Sequence, residues 1–344
     1  MRPLENIIDF SEQDVKPGAI GKFFLKYLHD PRDLPFIYFM IQITLTFIPL
    51  AIVAFAIDNT TWQWWVVFVL YGGGLVYWAG PFILMMHNTS HRPFFKPQYK
   101  MWNRYIPWIL CPFMGQSPDT YFSHHIGMHH AENNMEHDLS STMKYQRDSF
   151  IDFMKYFVSF LFTGVIELVE YLKNTKKHLL RRRAIVGELF FLGICIALLF
   201  VNYKATLLVF ILPMIIVRFS MMMGNWAQHA FIDPEQPENN YQNSITCINS
   251  VYNKRCYNDG YHIGHHLRPN LHWTEMPLDF LKNKKTYAEH KALIFEKIDY
   301  FQIWLYLMLK RYDWLADKIV NVDGVFNSDS EVIDLMKVRT RRFA

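Results

Sequence analysis

Cysteine is scarce. The chain of 344 residues holds Cys111, Cys195, Cys247 and Cys256, with no CxxC among them. That excludes a disulfide scaffold, and the thiols read as unpaired. Glycine and proline are modest, at 15 and 16 residues, which excludes a collagen and a low-complexity chain. No Lys/Arg tract alternates with aromatic residues, so a nucleic-acid partner is excluded. The first 35 residues lack an apolar stretch after a basic start, and no cleavable signal peptide is expected. Disorder is excluded too, because hydrophobic residues make up 51% of the chain and give it ample surface to bury. A net charge of +4 is mildly basic and suits a surface facing a membrane.

What is present is long uncharged runs. Residues 36–57 and 65–86 carry no charge. Each is close to the 20 or so apolar residues that span a bilayer core as a helix. The run 184–201 holds one charge, Glu188, and 205–223 holds one, Arg218. Short turns join the runs within each pair, so four spans are expected, arranged as two hairpins. The mean hydropathy of zero is then a sum of strongly apolar spans and a charged remainder. Lys and Arg number 5 before the first span, 13 in the loop 87–183 and 15 after residue 223, against 0 and 1 in the two turns. The positive-inside rule places both termini and the long loop in the cytosol. Two further apolar stretches, 156–166 and 301–309, are too short to span and suit interfacial helices.

Histidine is in excess, at 15 residues. Residues 124–137 and 262–272 hold nine of them, where chance gives about one. His87 and His91 follow the second span, and His229 follows the fourth. The first box, His87-Asn-Thr-Ser-His91, is an i, i+4 pair that leaves one helix face. The second, His125-Ile-Gly-Met-His129-His130, repeats that spacing and adds a neighbour. Adjacent residues point about 100° apart on a helix, so His129 and His130 face two centres. The third, His262-Ile-Gly-His265-His266, has i, i+3 and i+4. Asn225 and His229 are again i, i+4. Eight or nine imidazoles exceed the four or so ligands of one zinc and fit two adjacent metals. Imidazole suits Zn, Cu, Fe and Ni. Asp138, Glu132 and Glu136 are candidates to orient ligand rings. His272 reads as structural, and His29, His178 and His290 as solvated.

The motifs HNTSH, HIGMHH and HIGHH, with NWAQH ahead of the last, resemble the histidine boxes of the integral-membrane fatty acid desaturase and hydroxylase superfamily. The resemblance covers roughly residues 36–280. It implies a di-iron centre at the cytosolic membrane face, with O2 as co-substrate and attack on an unactivated C–H bond of a lipid chain. By resemblance to stearoyl-type desaturases, one iron takes His87, His91, His125, His130 and His265. The other takes His129, His229, His262 and His266, with Asn225 holding a water ligand. No catalytic residue beyond these is implied. The second box departs from the HxxHH of many acyl desaturases, and its longer spacing is similar to that of alkane hydroxylases. His125 is preferred to His124 because i, i+4 with His129 keeps one helix face.

The expected fold is an all-α integral membrane protein with a helical cytosolic cap holding the His-rich di-metal site. Residues 1–35 form a cytosolic N-terminal segment, 36–280 the desaturase-like membrane domain and 281–344 a helical cytosolic C-terminal segment. The expected activity is oxidoreductase: an O2-dependent fatty acyl desaturase that introduces a C=C bond. The rival is a hydroxylase or an oxidative decarboxylase on the same scaffold. No HPGG-type haem motif occurs, so electrons are expected from a separate carrier of cytochrome b5 or ferredoxin type. The membrane is the endoplasmic reticulum in a eukaryote or the inner membrane in a bacterium. A metal transporter fits poorly, since its ligands belong near mid-bilayer. A zinc hydrolase would use fewer histidines and want a carboxylate base.

Overall fold

The computed structural model describes residues 1–10 and 17–343. The chain is mostly helical. In chain order come α1 (Leu34–Ala56), α2 (Trp62–His91), α3 (Phe150–Asn174), α4 (His178–Leu199), α5 (Leu212–Gln228), β1 (Thr246–Ile248), α6 (His262–Leu267), α7 (Met276–Glu289), β2 (Ile294–Glu296), α8 (Tyr300–Met308) and α9 (Asp329–Arg339), with shorter helical turns between them.

Three helical stretches are long and apolar enough to cross a membrane: Pro31–Ala56, Trp62–His91 and Tyr203–Gln228. They account for three of the four expected spans. The remaining run, 184–201, falls largely in α4, whose first turns carry Arg181, Arg182 and Arg183, with Glu188 further on. That charge sets α4 apart from the other three. Helix α3 contains the stretch 156–166. It buries Phe153, Tyr156 and Phe157 and exposes Ile151, Phe162 and Ile166, the two-faced pattern of an amphipathic helix.

The chain divides into two compact units, each discontinuous in sequence. One consists of Asp14–Gly127 and Val165–Ser220; it is called the apolar unit below. Aromatic packing joins α1 to α2 within it: the Phe47 ring meets Tyr71 edge-on at 4.9 Å and Trp78 at 5.7 Å. Pro213 has no N–H to give the carbonyl four residues back, at Val209. The buried Tyr71 hydroxyl donates to that carbonyl at 3.2 Å and to Phe113 O at 2.7 Å. An apolar interior tolerates a proline where another group takes up the freed carbonyl. Gly115, at φ +72°, lies against the Pro213 backbone, where a Cβ would come within 2.2 Å of its carbonyl carbon. Gly187 meets the Pro118 carbonyl in the same way.

The two charges that stood out in the apolar runs find each other here. Arg218 Nη2 donates to Glu188 Oε1 at 3.1 Å, and both residues are buried. Ser117 Oγ donates to the same carboxylate oxygen. A buried pair is retained because loss of either partner strands the other, at about 3–5 kcal/mol.

The other unit consists of Met1–Gln13, Met128–Gly164 and Met221–Ala344; it is the polar unit. Strands β1 and β2 pair in parallel, with Thr246 opposite Ile294. Ile248, Ile263, Met276, Phe280, Tyr287 and Ile294 form one buried cluster that seats α6 and α7. The first residues of the chain tie down the approach to α6. The Asp9 carboxylate accepts from Asn249 N at 2.6 Å, Asn253 Nδ2 at 3.0 Å and the Tyr261 hydroxyl at 2.7 Å. Tyr261 directly precedes His262. Arg147 is wholly buried and donates to the carbonyls of Ala230, Thr142 and Arg339 at 2.9–3.1 Å. Desolvation pushes its guanidinium down to about 9.

Candidate metal centre

In the polar unit, His129, His229, His262 and His266 come together, with one ring nitrogen from each within 4.8 Å of the others. His266 Nε2 lies 3.0 Å from His262 Nε2, which lies 3.3 Å from His229 Nε2. His262 and His266 are one turn apart on α6, so the helix brings both rings to one side. His229 follows α5 and keeps its last turn through a bond from His229 N to Asn225 O at 3.1 Å.

The outer nitrogens of two rings are committed. His129 Nδ1 donates to Asp138 Oδ2 at 2.7 Å, and that carboxylate also accepts from Asn134 N and Ser140 N. His229 Nδ1 lies 2.9 Å from Asn243 Oδ1 and 3.0 Å from Asn243 O. Both are acceptors, since Asn243 Nδ2 is spent on Asn133 O and Pro237 O. Nδ1 therefore carries the proton in each ring, and the Nε2 lone pair points inward. Burial, and then repulsion from His129, pushes the His229 imidazole down to about 4. Burial and then His262 hold His266 well below its ordinary value. Both rings are thus neutral near pH 7, the form that ligates a metal.

Also in the polar unit, His130 Nε2 and His265 Nε2 face each other at 3.0 Å. So α6 sets His265 against His130 and keeps His262 with His266, adjacent residues such as His265 and His266 being about 100° apart on the helix. In the apolar unit, α2 ends with His87 and His91 on one face, their rings 5.1 Å apart. His91 Nε2 lies 2.8 Å from His125 Nε2, and the His87 ring lies 4.6 Å from that of His125. Tyr121 stacks on His125 at 5.1 Å and 12°. His125 stands in one of the two candidate metal groups found among the described residues, and His124 is outside both.

His125 and His129 do not share a helix face as expected. His125–His129 is a π-helical turn, not an α turn. A π turn closes at i, i+5, so the residue aligned with His125 is His130, and His129 is displaced from it. Read this way, HxxxHH is HxxHH with one residue absorbed by the bulge. Of the acidic candidates, Asp138 does hold a ring of a candidate metal group, that of His129. Asn243 and Tyr156 carried no signal in the sequence. Tyr156 OH and Ser140 O both accept from Asn225 Nδ2 at 2.8 Å, which fixes the amide with its carbonyl oxygen turned away from them. His272 is structural as expected: its ring accepts from Thr274 N and caps a short turn. His290 is more than solvated, stacking on Tyr241 at 4.8 Å.

Converging imidazoles on a chain with three helices long and apolar enough to cross a membrane make candidate metal sites of the histidine-box kind. The fatty acid desaturase family matches residues 60–297, more than half of the chain, and the chain belongs to that family. Membership makes it an oxidoreductase. No curated protein and no solved structure matches it.

Proposed function

We propose that this protein is an O2-dependent fatty acyl desaturase working through two irons. The observation that carries the reading is the inward Nε2 set whose tautomers Asp138 and Asn243 fix. His129, His229, His262 and His266 would hold one iron. His87, His91, His125, His130 and His265 would hold the other, with the Asn225 carbonyl oxygen accepting from a metal-bound water. An all-imidazole set suits iron. The two irons would supply reductive activation of O2 and the oxidising power to break an unactivated C–H bond. The chain's own part is placement. Asp138 and Asn243 hold rings, Tyr156 and Ser140 hold Asn225, and the end of α2 holds His87 and His91. Helix α4 is the fourth span, its basic start at the cytosolic face and its buried Glu188 neutralised by Arg218. Both termini are cytosolic, and electrons come from a separate cytochrome b5 or ferredoxin.

The test is expression in a host lacking the activity, followed by lipid mass spectrometry with and without O2. A product two hydrogens lighter than its parent, absent without O2, supports the reading. A hydroxylated or chain-shortened product would transfer it to the hydroxylase or decarboxylase alternative.

A further inference from the structure

Helix α6 carries three clustered histidines, His262, His265 and His266, in six residues. A helix this short is not stable by itself, so its place comes from what holds its ends. Its start is closely held. The Tyr261 carbonyl accepts from His265 N at 3.0 Å and closes the first turn. The Tyr261 ring is buried and meets Phe280 edge-on at 5.9 Å. The residue before it is equally confined. Gly260 N donates to Asn253 Oδ1 at 2.9 Å, and Gly260 O accepts from Cys247 N at 2.7 Å. A Cβ on Gly260 would lie 2.3 Å from Asn253 Oδ1 and from Cys247 O, so no side chain fits there.

The group that ties these anchors together comes from far away in sequence. The first ten residues lie along the polar unit as a strap. Arg2 N donates to Ile319 O at 3.0 Å, and Asn321 N donates to Arg2 O at 2.8 Å. Ile8 N donates to Asn249 Oδ1 at 2.8 Å, and Asn249 Nδ2 to Asn6 O at 3.0 Å. Asn258 Nδ2 donates to Phe10 O at 2.6 Å. These bonds place Asp9. A single oxygen of its carboxylate, Oδ2, accepts from Asn249 N, Asn253 Nδ2 and the Tyr261 hydroxyl. Asp9 thus reaches the start of α6 twice: directly at Tyr261, and at Gly260 through the Asn253 amide. Desolvation, and then Asp9 itself, push the Tyr261 hydroxyl up, so it keeps its proton and donates. Bonds to a charged acceptor are about twice as strong as neutral ones. A strap that only covered the core would have no use for a largely buried carboxylate, which is costly to desolvate. Leu4 and Ile7 already do the covering, packed on the cluster that seats α6 and α7.

Resting on the metal-site reading above, we infer that Asp9 is a positioning residue for the group His129, His229, His262 and His266. Through Tyr261 it fixes where α6 begins, and so where His262 and His266 stand. A strap from the first residues of the chain is then part of the support of the histidine group, as Asp138 and Asn243 are.

The test is Co(II) binding to the full-length, metal-free protein in detergent. Affinity is read against a competing chelator, and ligand geometry from the visible absorption of the bound ion. The variants are Tyr261→Phe, Asp9→Ala and the two together, each with its denaturant unfolding midpoint. Each single variant should weaken at least one Co(II) site by about tenfold, the low end for groups that support a ligand from outside, and should alter the absorption. The double variant should lose no more than about twofold beyond Asp9→Ala, because both changes break one link. Tyr261→Phe keeps the buried ring and decides the matter by itself where Asp9→Ala does not fold. A folded single variant with wild-type affinity and unchanged absorption overturns the proposal, even if its unfolding midpoint falls, since the strap would then be structural only. A double variant that loses the product of the two single losses also overturns it. The outcome is separable from the reading it rests on. A wild-type chain that takes up no Co(II) removes the metal site and this proposal together. Variants that behave as expected, with no lipid oxidation by the iron-loaded wild type, leave the strap standing and remove the desaturase reading.

Discussion

The first and second histidine boxes read alike in the sequence and differ in the fold. Both are HxxxH. In the first, His87 and His91 sit on the regular end of α2 and share a face. In the second, His125 and His129 are separated by a π turn; His125 stands beside His91, while His129 joins His229, His262 and His266. Spacing alone reports a shared face only where the backbone keeps its 3.6-residue period. One extra residue in a turn changes which neighbours align, at the cost of a less favourable hydrogen-bond ring. Equal motifs in one chain therefore need not present equal geometry.

The largest effect that would test this contrast comes from shifting the register of each box by one residue. Deleting Ile126 should convert the π turn to an α turn and leave metal content within about twofold, because His125 and His130 then stand at i, i+4. Inserting an alanine between Asn88 and Thr89 should rotate His91 by about 100°. Activity should then fall at least about 100-fold, the scale that misplacement of about 1 Å can reach. Metal quantification with lipid turnover checks both. Loss of metal on the deletion would show that the two boxes are not related in this way.

Next in size is the acid response of the metal-free protein. His229 titrates near 4 in the folded chain because it is buried and beside His129. In the unfolded chain it titrates near 6.5. Between those values the unfolded state binds the extra proton, so stability is full above about pH 6.5 and falls as pH drops toward 4, by on the order of 3 kcal/mol. Denaturant unfolding of the chelated protein at several pH values checks the sign. A flat profile over that range would contradict the neutral, buried state of this ring.

The smallest effect concerns the outer support of the His129 ring. Asp138→Asn removes the carboxylate from His129 Nδ1 and should weaken metal binding by about 10- to 100-fold without unfolding the chain. Metal titration against a competing chelator measures it. An unchanged affinity would mean that packing alone sets the ring.

Much of this was legible in the chain because it depends on local periodicity. Apolar runs marked the three membrane-length helices, and the regular spacing on α2 showed that His87 and His91 share a side. The fourth run was less plain, because Arg181–Arg183 and Glu188 weigh against its apolar residues within one helix. The partnership of Glu188 with Arg218, thirty residues on, was not readable, since nothing local links them. The same holds for Asn243 against His229 and for Tyr156 against Asn225.

By itself the sequence determined the kind of chemistry, because imidazole number and period are written in residue order. It also determined which stretches are apolar and which segments gather positive charge. Only the tertiary structure decided how the second box turns and which ring nitrogens carry protons. Those depend on backbone irregularity and on groups distant in sequence, where hydrogen-bond satisfaction in a buried setting selects one arrangement.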